Sequence, residues 1–191
     1  HDYFGNVVRY VQSNVISTDV AGAWPGGDYD GIGEICFESE EDLARSNASE
    51  FRARKIIPHG RAIFGNPNPI NVTVRDVAAW TDHEPSITIT RFLKFADGAS
   101  RDEVEATSAT RPELLKRAIR QAGLTIVSCR CSTALRAGGM FDAIEETGLT
   151  TMASGAIAAL DPHLSWTSPV VSGAVTIAAW PVVLFDRNYI V

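Results

Sequence analysis

The sequence predicts an α+β fold made of two tandem βαββαβ repeats, and three observations carry that prediction. Segments with strand-like alternation and segments with helix signals follow one another in the same order in both halves of the chain. The stretch Asp30-Gly31-Ile32-Gly33-Glu34 has a counterpart in Asp142-Ala143-Ile144-Glu145-Glu146. Pro58-His59 recurs as Pro162-His163, and each leads on to a Val-Thr pair, Val72-Thr73 and Val175-Thr176. A duplication has a plain physical sense, because each small sheet covers a face that neither buries alone.

In the first half, residues 30–37 alternate as a strand, and Glu38-Ser39-Glu40-Glu41-Asp42-Leu43 then opens a helix with Ser39 as its cap. Helical character continues through residues 48–57. Pro58-His59-Gly60 interrupts it, and Asn66-Pro67-Asn68-Pro69 is a turn cluster. Residues 70–80 read as the next strand. In the second half, residues 86–95 form a strand and Asp97-Gly98 turns. Ser100-Arg101-Asp102-Glu103 has the form of a capping box and starts a helix. A further helical stretch over 112–122 is closed by Gly123. Strands are expected at 124–131 and 141–146, a helix at 151–160, and a last strand at 171–185. The repeats are therefore placed at residues 1–82, lacking an opening strand, and at residues 86–191, each ferredoxin-like in its element order.

Composition sets outer limits on what such a fold can do. A chain of 191 residues with 45% hydrophobic and 21% charged residues is long enough to bury a sizeable core. Its net charge of -6 argues against a nucleic-acid partner, since neutralising phosphate takes a basic surface. No apolar run approaches the roughly 20 residues a membrane-spanning helix needs. The three cysteines, Cys36, Cys129 and Cys131, form no disulfide framework. Cys129 and Cys131 are two apart in a strand, so they share a face and are expected as buried thiols. No signal peptide is visible, and the chain is read as cytoplasmic, with no membrane partner.

His1-Asp2-Tyr3-Phe4, then Arg9-Tyr10-Val11-Gln12-Ser13-Asn14-Val15, then Asp30-Gly31-Ile32-Gly33-Glu34-Ile35-Cys36-Phe37-Glu38-Ser39 resembles the EthD family. Ala62-Ile63-Phe64 and the strand after it resemble that family's last helix and strand. Asp2 and Tyr3 stand where the family has a small residue and a proline, and His59-Gly60 replaces an acidic pair. The resemblance implies a dimeric-type α+β barrel, two sheets enclosing a pocket, and a homodimer or its single-chain equivalent. It also implies small aromatic or polyketide-like substrates and cofactor-independent lyase chemistry of the dehydratase or decarboxylase type.

Such a lyase needs a proton donor and acceptor that work near neutral pH. His1, which carries the resemblance, is the first candidate, against the alternative of an exposed terminal residue. Glu34 is the second. With Ile32 and Cys36 it shares one strand face, expected to line the pocket, while Ile35 and Phe37 are expected to face helices. The alternative is an edge glutamate bridged to an arginine such as Arg75. Glu146 holds the equivalent place in the second repeat. His59, like His163, follows a proline at a helix end, where a cationic side chain is also favoured for structural reasons. Tyr10 offers a phenolic proton or simple packing, and His83 lies in a polar turn. No phosphate loop, nucleophile elbow or zinc-binding histidine pair occurs, so neither cofactor nor metal is expected. A binding protein without chemistry and a cofactor-free monooxygenase are the competing readings.

Overall fold

The computed structural model describes residues 6–17, 31–58, 72–121, 123–136, 139–150 and 171–186. Their elements are β1 (Val7–Ser17), β2 (Gly31–Phe37), α1 (Glu40–Ala48), β3 (Val74–Thr81), β4 (Ile87–Phe95), α2 (Arg101–Gln121), β5 (Ile126–Ala134), β6 (Ala143–Leu149) and β7 (Val171–Asp186). The class is α+β with an antiparallel sheet, as the sequence predicts. The helix expected at 151–160 lies outside the described residues. The chain divides into two compact units, one of His1–Gln12, Ile32–Asn71 and Val182–Val191, the other of Ser13–Gly31 and Val72–Pro181.

In the smaller unit β1 is bordered by β2 and by the end of β7. Val7 and Val11 are its buried side chains on β1, and Arg9 Nε lies 3.6 Å from Asp186 Oδ2. Helix α1 starts where its cap predicts: the Asp42 N–H donates to Ser39 Oγ at 3.1 Å. Glu40, Glu41 and Asp42 occupy its first turn, where the helix dipole favours acids. That places the local acidic cluster. The helix ends at Ser49, whose backbone is extended, and a separate π-helical turn follows at Arg52–Ile56.

In the larger unit the strand order is β7-β4-β6-β5-β3. Strand β4, helix α2 and strand β5 form a crossover that leaves room for one strand, and β6 inserts there antiparallel to both. This is the ferredoxin-like order for β4 to β7. Strand β3 then adds at the outer edge of β5, pairing Val74 with Ala134 through Thr81 with Ser128, with a bulge between Asp76 and Ala78.

Helix α2 covers one face of this sheet. It opens with a reciprocal capping box, Glu103 N–H to Ser100 Oγ at 3.3 Å and Ser100 N–H to Glu103 Oε2 at 2.8 Å. The two helical stretches expected from the sequence are one continuous helix with Pro112 inside. Val104, Ser108, Arg111, Pro112, Leu115 and Ile119 form a single buried stripe along it, and that burial outweighs the lost hydrogen bond at the proline. The helix ends at Gly123, whose φ of 75° suits glycine.

The stripe packs into two separate apolar clusters. Ile87, Ile89, Leu115, Ile119, Ile126, Cys129 and Leu149 form one, with Trp80 against it. Leu93, Phe95, Val104 and Ala143 form the other. Each fully buried aliphatic side chain contributes roughly 1.5–3 kcal/mol by leaving water. Between the clusters lies a layer of buried charge.

Candidate functional site

Strand geometry sorts the polar residues of the larger unit onto two faces. Successive side chains of a strand point to opposite sides, and residues paired across strands share a side. Ile87, Ile89, Leu93 and Phe95 pack toward α2, so Thr88, Thr90, Phe92 and Lys94 face away from it. The same rule places Ile144 and Glu146 of β6 on the outer side, and Ala143, Glu145, Thr147 and Leu149 beneath α2.

Under α2, Glu145 is 1% exposed and is held by two guanidinium groups. Arg111 Nε on α2 donates to its Oε2 at 2.6 Å, and Arg91 Nη1 on β4 to its Oε1 at 3.5 Å. A buried carboxylate is tolerable only when paired in this way. Ser108, Thr133 and Thr147 are buried in the same unit, and the Thr133 and Thr147 hydroxyls find no hydrogen-bond partner among the described residues. Cys129 and Cys131 are buried free thiols, as the sequence predicts. A hydrogen bond with Cys129, then burial, then the nearby Glu145 charge push the Cys131 thiol far up, so it is inert.

On the opposite face the pairing register builds a second polar row. Thr90 lies opposite Glu146, and Glu146 opposite Arg130. Arg130 Nε donates to Glu146 Oε2 at 2.7 Å, and its Nη2 closes on the same oxygen. In the next row, Phe92, Ile144, Ser132 and Asp76 stand side by side, and Ser132 Oγ donates to Asp76 Oδ1 at 2.6 Å. The rings of Phe92 and Phe141 sit 5.2 Å apart. Thr90 and Ser132 are almost fully buried, whereas the Arg130 and Glu146 side chains stay 26% and 17% exposed. The face thus joins a solvent-reachable ion pair and hydroxyl groups to an aromatic and aliphatic patch. Chemically its solvent-reachable part can hold an oxyanion at Arg130 and accept a proton at Glu146.

The residues singled out from the sequence distribute as follows. His1 and His59 lie outside the described residues, as does His163. Glu34 is half-buried on β2, and Cys36 Sγ donates to its Oε1 at 3.1 Å. Arg75, offered as an example for the alternative of a bridged edge glutamate, pairs with Glu105 at 2.8 Å. Ile35, expected to pack on helices, is 44% exposed, because α1 buries none of its side chains. Tyr10 is half-buried on β1, and His83 is exposed in its turn. Glu146, marked as the equivalent of Glu34, is the one that a salt bridge organises into a site.

Sequence reasoning passed over Arg130, Arg91, Arg111 and Glu145. A signal was present for Arg111: it falls on the apolar stripe of α2, where a charge demands a buried partner. Among the described residues no group of His, Cys, Asp and Glu is placed to hold a metal ion, and no helix is long and apolar enough to cross a membrane.

No family model matches the chain, and no curated protein matches it in sequence. Among solved structures it is similar to one described as "Crystal structure study of anthrone oxidase-like protein". The two share 13% identical residues at a TM-score of 0.51, over 93% of this chain and 77% of that one. At that identity the likeness concerns the fold, and it places the chain among α+β folds of the dimeric-barrel type.

Proposed function

We propose that this chain is a cofactor-independent enzyme that processes a small aromatic, polyketide-like molecule by acid–base chemistry, as a lyase of the dehydratase or decarboxylase type. The supporting observation is the Arg130–Glu146 pair, set beside Thr90 and Ser132 and next to Phe92 and Ile144. A carbonyl oxygen of the substrate competes with Glu146 for the guanidinium fork. Once displaced, the carboxylate loses its stabilising charge, and its affinity for a proton rises in the half-dry site. Glu146 then takes a proton from the carbon beside that carbonyl, and the C–H electron pair becomes the enolate whose oxygen Arg130 stabilises. In a dehydration the enolate expels a β-hydroxyl, which leaves with that proton as water. The EthD resemblance supplies the substrate class, and His1 and His59 stand in the proposal as further proton carriers. Glu34 and Tyr10 stand in it as groups of the smaller unit.

A second reading is oxidation of the same kind of molecule by dioxygen, favoured by the anthrone oxidase-like description of the structural neighbour. The oxidation and the dehydration begin with the same deprotonation and diverge at the fate of the carbanion. A decarboxylation reaches the carbanion by losing carbon dioxide and then takes up a proton. Turnover of anthrone and of hydroxylated aromatic polyketides, followed in air and under argon, separates them. Equal rates in the two atmospheres establish the lyase; product only in air, with matching oxygen uptake, establishes the oxidase. Saturable binding without turnover in either atmosphere removes the enzyme reading and leaves a carrier.

A further inference from the structure

Most cations among the described residues stand against a carboxylate, as suits a chain of net charge -6. Helix α2 begins in the same way, with Arg101 on Glu105 at 2.9 Å and Arg111 on Glu145 at 2.6 Å. Its C-terminal end breaks the pattern. There Lys116, Arg117 and Arg120, with Glu113 and Gln121, line a shallow depression of about 490 Å³. None of the three cations has a carboxylate partner among the described residues, although Glu113 lies one helical turn from Arg117.

The helix dipole explains one of these charges. It favours cations in the last turn, where Arg120 lies, and fades before Lys116 and Arg117. Lys116 and Arg120, one turn apart, repel each other. Lys116 is nonetheless held in place. Its ammonium sits 4.2 Å from the centre of the Trp80 ring, and Trp80 is packed on the apolar cluster beneath the helix. A half-buried, positioned cation thus stands beside two exposed guanidinium groups.

We propose that this end of α2 is a binding site for a soluble molecule carrying a diphosphate group. Three cations against one carboxylate give the depression a charge of +2 on a chain that is acidic overall. Lys116 and Arg120 are separated by about 6 Å along the helix. Such a span fits one diphosphate and is too short to follow a polymer backbone. The acidic remainder of the chain also opposes a nucleic acid or an anionic membrane. Arg117 and Arg120 offer forked donors suited to phosphate oxygens, and Lys116 adds a point charge. Glu113 opposes the ligand's charge. The site lies on the exposed side of α2, with helix and sheet between it and the Arg130–Glu146 pair, so it is independent of the function proposed for that pair.

Pyrophosphate titrated into the full chain is expected to bind saturably, with amide shifts centred on residues 113–121. Orthophosphate should bind about tenfold more weakly, having fewer charge-assisted contacts to make. Arg117→Ala combined with Arg120→Ala should weaken pyrophosphate about tenfold or more. Glu113→Gln should tighten it about twofold to threefold, because a like charge is removed. Arg117→Gln, outside the last turn, serves if the double variant does not fold, and is expected to weaken binding in the same direction. Shifts that never saturate, or a double variant that binds like the parent, overturn the site. Weaker binding in Glu113→Gln overturns the charge argument for it. Sedimentation with phosphatidylglycerol vesicles, without a response to pyrophosphate, overturns the soluble ligand in favour of a lipid surface.

Discussion

The two faces of the larger unit's sheet carry the same chemistry, a glutamate held by arginine, in opposite states of hydration. Beneath α2, Arg91, Glu145 and Arg111 all lie below a tenth exposure, wedged between two apolar clusters. On the other side Arg130 and Glu146 keep contact with solvent. Burial makes the first group costly to break and of little net value against an apolar replacement. Partial hydration makes the second cheap to break and ready to exchange partners. A charged group that serves structure sits where nothing else reaches it, and one that serves a ligand sits where something can.

The sharpest break of that comparison is Glu145→Ala. It leaves two guanidinium groups buried against an empty place, and it is expected to cost about 3–5 kcal/mol. Calorimetry should show a fall in Tm of roughly 6–20 °C for a chain of this size. The triple replacement Arg91→Leu, Glu145→Leu, Arg111→Met should melt near the parent, because it removes desolvation cost along with the pairing. A parent-like Tm for Glu145→Ala alone would show that the layer does not hold the helix to the sheet.

Arg130→Ala tests the other face. Its effect on stability is expected to stay within about 1 kcal/mol by urea denaturation, while affinity for an anthrone probe falls about tenfold or more. A large loss of stability with unchanged probe binding would reverse the assignment of the two faces.

The smallest effect is expected at Ser100→Ala, which removes the cap of α2 and should lower Tm by about 2–4 °C. Hydrogen bonds from the Ser100 backbone and hydroxyl hold the Glu103 carboxyl below its usual range. A group whose folded pKa is lowered adds stability above its unfolded pKa and loses it as pH falls through the folded one. The variant should therefore show a shallower loss of stability on the acid side, read as Tm against pH.

Local features of the fold were legible in the sequence because local interactions produce them. Ser39 and Ser100 cap helices, Gly123 ends one, and the alternation at 87–95 is a strand. Cys129 and Cys131 share a buried face because a strand has a period of two. Pro112 misled, since a proline marks a helix start unless a buried stripe runs through it. The partners of Glu145 were not legible. Arg91 and Arg111 lie 54 and 34 residues away, and nothing local names the strand or helix on which a buried charge will find its counter-ion. Glu146 was found through its likeness to Glu34, but its binding partner Arg130 follows from strand register, which only the folded sheet defines.

The pairing of β3 with β5 also has a temporal consequence. Thr81 ends β3 and Ala134 ends β5, with strand β4 and helix α2 made between them. At ordinary rates of synthesis a ribosome takes roughly 3–10 s to add that interval. Through it β3 exists as a finished strand whose partner has not been made, with Trp80 and its neighbours uncovered. Nascent-chain length therefore sets when this strand stops being available to chaperones, and slowing translation between β3 and β5 lengthens that exposure without altering one residue of the product.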